Sequence, residues 1–112
     1  MVLTPPGYFP CMNDTKWEEL RLAMHELGPL GPRYRVRNID SGFVSDWDGE
    51  WFYHFRVGSH AKIEWVDLRV SAGEQEDAVL QALRRIHVPG CRTEDGFKVY
   101  GYLPIGTGLD YL

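Results

Sequence analysis

Hydrophobic positions recur in this chain with two periods, and the switches between them mark out its elements. Trp17, Leu20, Met24 and Leu27 stand three or four apart and predict a helix with one apolar stripe. Thr15 and Glu18 have capping-box spacing at its start, and Gly28-Pro29 ends it. From Arg33 the period drops to two: Tyr34 and Val36 alternate with Arg33, Arg35 and Arg37, as in a half-buried strand. Phe43-Val44-Ser45 predicts a short second strand, and Asp48-Gly49 a hairpin turn. Trp51 to Arg56 reads as a third strand, with Trp51, Tyr53 and Phe55 on one face and Phe52 and His54 on the other. Gly58-Ser59-His60 reads as a turn. Lys62 to Val70 is a fourth strand whose apolar set slips from Ile63 and Trp65 to Val66, Leu68 and Val70, the signature of a β-bulge.

Val79, Leu80, Leu83 and Ile86 predict a second helix. Ser71 and Glu74 are spaced to cap it, acids load its first turn, and Arg84, Arg85 and His87 its last. Pro89-Gly90 stops it, Thr93–Gly96 is a turn, and Phe97 to Leu103 is the last strand. Residues 1–13, with three prolines and Gly7, predict an irregular lead-in, and residues 104–112 a tail. The order is α-β-β-β-β-α-β. It implies an α+β fold with a mainly antiparallel sheet of about five strands and both helices on one face. At 112 residues the chain fits one domain spanning 1–112.

Composition adds three constraints. Four Trp, six Tyr and five Phe exceed what one small core needs, so some aromatics are expected at the surface. The net charge of −4 argues against nucleic acid as a partner and suits an acidic face aimed at a basic one. Cys11 and Cys91 form no CxxC pair or zinc spacing and read as reduced thiols, although one disulfide between them is an open alternative. No apolar run has signal-peptide or membrane-span length, so a cytoplasmic location with no membrane contact is expected.

Four constellations carry candidate chemistry. Asp46, Asp48 and Glu50 alternate and, with His54 or His60, suggest a metal-dependent hydrolase. A calcium loop of the EF-hand type starting at Asp46 would need Gly at position 51 and Glu at 57, where Trp51 and Val57 stand. The four histidines have no GxSxG or cysteine context that would make a nucleophilic site. Arg33, Arg35 and Arg37 form a basic stripe; one reading is a nucleic-acid platform, the other a solvated face paired with acids on neighbouring strands. No glycine-rich phosphate loop occurs, and no cofactor is implied. The densest feature is the aromatic run Trp47, Trp51, Phe52, Tyr53 and Phe55. Exposed aromatics beside acids suit a protein interface, which would comprise Asp46, Trp47, Asp48, Glu50, Trp51 and Tyr53.

Thr15-Lys16-Trp17-Glu18-Glu19-Leu20, Trp47-Asp48-Gly49-Glu50-Trp51-Phe52, Ile63-Glu64-Trp65-Val66, Ile86-His87-Val88-Pro89-Gly90 and Tyr100-Gly101-Tyr102 together resemble a bacterial family of small proteins of unknown function. The resemblance spans residues 15–103 and brings no catalytic residues with it. Small acidic proteins of this kind look like immunity proteins, which bind a cognate toxin domain and cover its active site. The resemblance therefore implies a stoichiometric toxin inhibitor; with no catalytic constellation in the sequence, a cytoplasmic, non-enzymatic protein is expected, and the aromatic run supplies Trp47 and Trp51 as its anchors. A homodimer is compatible with the same residues.

Overall fold

A computed structural model describes residues 4–57 and 60–112. Strand β1 (Tyr8–Pro10) precedes helix α1 (Asp14–Glu26), and β2 (Arg33–Asn38) and β3 (Ile63–Arg69) follow. Helix α2 (Glu74–Ile86) leads to β4 (Gly90–Arg92), β5 (Gly96–Tyr100) and β6 (Tyr102–Pro104). The fold is α+β, as expected. Its main sheet is antiparallel, in the order β2-β3-β5-β4, and β1 pairs with β6 in a second, two-stranded sheet.

The bulge lies where the hydrophobic phase slips. Arg37 pairs with Trp65 and Asn38 with Ile63, so β3 advances two residues while β2 advances one. Glu64 is the extra residue, and its carbonyl accepts the Gly101 N–H at 2.8 Å. Ile63, Val66 and Leu68 consequently all turn inward. Among the elements with a different outcome, the lead-in forms β1 because Phe9 pairs with Leu103 across the molecule, a partner no local pattern reveals. The last strand divides at Gly101, where a Cβ would lie 2.0 Å from the Ile63 carbonyl oxygen. Beyond it, Tyr102–Pro104 leave the main sheet for β1. Phe43–Ser45 make only an isolated bridge, Arg37 to Val44, on the free edge of β2.

Both helices start differently from their capping-box readings. Asn13 caps α1, its Oδ1 accepting the Lys16 N–H at 2.8 Å, while Glu18 pairs with Arg21 instead. At α2 the N-cap is Gly73, and the Ser71 N–H donates to Oε1 of Gln75 at 2.7 Å. One hydrophobic cluster joins Trp17, Leu20 and Met24 of α1 and Val79, Ala82 and Leu83 of α2 to Tyr34, Val66, Leu68, Phe97 and Val99 of the sheet. The other sheet face carries Arg35, Asp67 and Lys98 in register across β2, β3 and β5. Both cysteines are free thiols. Among the described residues, no helix is long and apolar enough to cross a membrane.

Candidate functional site

The segment expected to be the third strand is a turn of helical character, which changes the fate of every aromatic in it. Both oxygens of the Glu50 carboxylate accept backbone N–H groups, from Phe52 at 2.8 Å, Tyr53 at 2.5 Å and His54 at 3.3 Å. Amides aimed at one side chain cannot also serve a strand ladder. The Val57 N–H then reaches the Tyr53 carbonyl at 3.0 Å. Trp51 and Phe55 are therefore one helical turn apart and share the inward side, whereas Phe52, Tyr53 and His54 are exposed.

Trp51 cannot be a docking anchor. It is 3 % exposed, its ring lies 4.3 Å from Tyr34 and 4.8 Å from Phe55, and its Nε1 donates to the Pro32 carbonyl at 2.9 Å. Burying such an indole with its one donor satisfied is a core arrangement. Glu50 is likewise occupied by its caps, and the N–H groups, Tyr53 foremost, hold its carboxyl below the usual range. Arg21 ties the turn to α1. Its guanidinium is 4 % exposed, grips both Glu18 oxygens, and donates through Nη1 to the Phe52 carbonyl at 2.7 Å.

Between this turn and the edge of β2 lies a cleft of about 570 Å³. Tyr34, Phe55 and Ile63 give it a buried apolar base. Phe43 and Val57, 70 % and 79 % exposed, stand at its margins. The polar lining includes Asp46, Asp48, His54, His60 and Lys62. Asp48 Oδ2 lies 2.7 Å from His54 Nδ1, and its Oδ1 accepts the Glu50 N–H at 2.8 Å. Burial raises the Asp48 carboxyl, but the Glu50 amide and His54 outweigh it and leave it below its ordinary value. Burial, reinforced by the charges of Asp48 and Glu50, raises the Tyr34 hydroxyl, which donates to the Glu50 carbonyl at 2.9 Å. His60 packs against Trp17 and Phe55, and among the described residues its buried Nε2 has no hydrogen-bond partner.

Of the residues singled out from sequence, Asp46, Trp47 and Asp48 line the cleft. Tyr53 is 66 % exposed on the turn, its ring edge-on to Phe52 at 4.9 Å. Trp47 is half-buried, with the Arg69 guanidinium 4.1 Å and the Arg35 guanidinium 4.7 Å from its ring. The three acids do not converge: Glu50 faces its own turn and Asp48 faces His54. Among the described residues, no three His, Cys, Asp or Glu side chains are grouped to hold a metal. Two arginines of the stripe follow the paired reading, with Arg35 3.0 Å from Asp67 and Arg37 3.0 Å from Glu64, while Arg33 stands opposite Arg69. Sequence reasoning missed Phe43, Val57 and Lys62. Phe43 reads from the sequence as a strand residue, and the position of Val57 depends on the turn geometry. The expected turn at Gly58-Ser59-His60 falls partly on residues 58 and 59, outside the described residues.

A family model, Family of unknown function (DUF6678), matches residues 3–106. No curated protein and no solved structure matches the chain.

Proposed function

We propose, from the premise that the chain belongs to this family of unknown function, that it is a stoichiometric binding protein of immunity type. It docks on a bacterial toxin domain in the cytoplasm and covers that domain's active site. The reading rests on one observation: two large apolar side chains, Phe43 and Val57, are mostly exposed at the margins of a cleft with an apolar base and carboxylates on its walls. Exposed apolar groups beside a concavity supply anchors, and surrounding polar groups complete a rim that excludes water. The docking surface is accordingly Phe43, Val57 and Tyr53 with Asp46, Trp47 and Asp48, in place of one anchored on Trp51. Asp46, exposed beside Phe43, offers charge to a basic active-site groove and speeds encounter more than it tightens the complex.

The test is co-expression with the product of the adjacent reading frame, reading growth and binding together. The wild-type chain should restore growth and bind one to one. Phe43→Glu should weaken binding by about thirtyfold, the equivalent of losing roughly 2 kcal/mol at one anchor. Its circular dichroism should not change, because Phe43 lies outside the core. Rescue and affinity that survive both Phe43→Glu and Val57→Glu would reject this surface. A concentration-dependent dimer abolished by the same changes would assign the cleft to a second copy of the chain instead.

A further inference from the structure

The open sheet face obeys a simple charge rule with one exception. In the row formed by Arg35, Asp67 and Lys98, both cations reach the same carboxylate, at 3.0 Å and 3.8 Å. Farther along β2, Arg37 is matched by Glu64 at 3.0 Å. The remaining row sets Arg33 of β2 directly opposite Arg69 of β3. Among the described residues, neither guanidinium has a carboxylate within ion-pair distance. Like charges facing each other across antiparallel strands destabilise the pair, so this row costs the fold stability that its neighbours do not lose.

Those two arginines line a pocket of about 460 Å³, together with Ser71, Gln75 and Asp95. Trp47 braces one of them, the indole lying 4.1 Å from the Arg69 guanidinium. An arginine stacked on an aromatic face keeps its in-plane N–H donors for another partner. Gln75 is fixed by bonds to the Leu30 and Gly31 carbonyls and the Ser71 N–H, so it shapes the wall. Asp95 contributes one negative charge against the two guanidiniums.

We propose that the Arg33–Arg69 row is a binding site for a phosphate group. Each guanidinium presents a fork of donors, and a phosphoryl group has enough terminal oxygens to accept a fork from each of two arginines at cross-strand spacing. The bound anion neutralises the repulsion between them. The same chemistry is offered by a small phosphorylated ligand and by the phosphodiester of a nucleic-acid strand. Trp47 stands between this site and the cleft and belongs to the lining of the latter, but the two arginines are outside the docking surface and the proposal does not rest on that reading.

Thermal unfolding of the full chain in inorganic phosphate, against chloride of equal ionic strength, tests the site. About 10 mM phosphate should raise the Tm by roughly 2 °C or more. The shift should vanish in Arg33→Gln/Arg69→Gln and mostly vanish in Arg33→Gln alone, whose Tm in chloride should equal or exceed that of the wild type. Arg84→Gln/Arg85→Gln, two exposed positions on α2, should keep the full shift. Equal stabilisation by chloride, a shift that persists without Arg33, or its loss in the α2 control would overturn the proposal. Repeating the titration with adenosine monophosphate and with a short oligothymidylate then identifies the source. Tighter binding of the oligomer assigns the phosphate to a nucleic-acid strand, and tighter binding of the mononucleotide to a small ligand.

Discussion

Trp51 and Tyr53 stand two positions apart in a run of aromatics, yet one is 3 % and the other 66 % exposed. Trp51→Ala removes a core indole in contact with Tyr34 and Phe55 and should cost about 3–5 kcal/mol, read from urea unfolding. Tyr53→Ala leaves the core untouched and should fall within about 0.5 kcal/mol of wild type. Gly101 is a second position decided at atomic scale. A methyl group there would meet the Ile63 carbonyl oxygen and the Trp17 ring. Gly101→Ala should therefore destabilise by about 1–3 kcal/mol, the range of an overpacked core. Thermal unfolding would show this as a fall in Tm, with the far-ultraviolet spectrum retained.

At the scale of elements, the turn at 50–57 depends on two carboxylates held below their usual ionisation range by the amides and the histidine they face. A depressed folded pKa contributes stability that is complete above the unfolded value and is lost as pH falls through the folded one. The turn should therefore hold at neutral pH and loosen below about pH 4. Intrinsic tryptophan fluorescence should report Trp51 leaving its pocket in that window, and in Glu50→Gln the acid transition should be blunted. The same segment shows why only part of the architecture was legible. An aromatic at nearly every position satisfies a period of two and a period of 3.6 alike, so hydrophobicity could not choose. Glu50 chose, through its bonds to the following amides. By contrast, the bulge at Glu64 could be read because the apolar phase changed once and cleanly. Strands β1 and β4 are three residues long, too short to leave a periodic trace, and β1 pairs with the distant β6. The cleft combined residues from both kinds of region, so its acids were anticipated and its apolar margins were not.

On the scale of the whole molecule, charge is segregated rather than spread. The open sheet face carries Arg33, Arg35, Arg37, Arg69 and Lys98 against Glu64 and Asp67, while the chain as a whole is at −4. The remaining surface is thus more acidic than the total suggests, and a basic partner meets it from a preferred side. Association with such a partner should slow as salt rises from about 50 to 500 mM, with the dissociation rate changing far less, measured by stopped-flow mixing.

Strand β5 lies between β3 and β4 in the sheet but is drawn from residues 96–100. A nascent chain emerging from the ribosome thus displays the edge of β3, with Val66 and Leu68 uncovered, until Phe97 and Val99 arrive. Assembly of the main sheet waits until residues 96–100 are free to pair, and a chaperone that shields strand edges would find its binding site in every polypeptide stalled before Gly96.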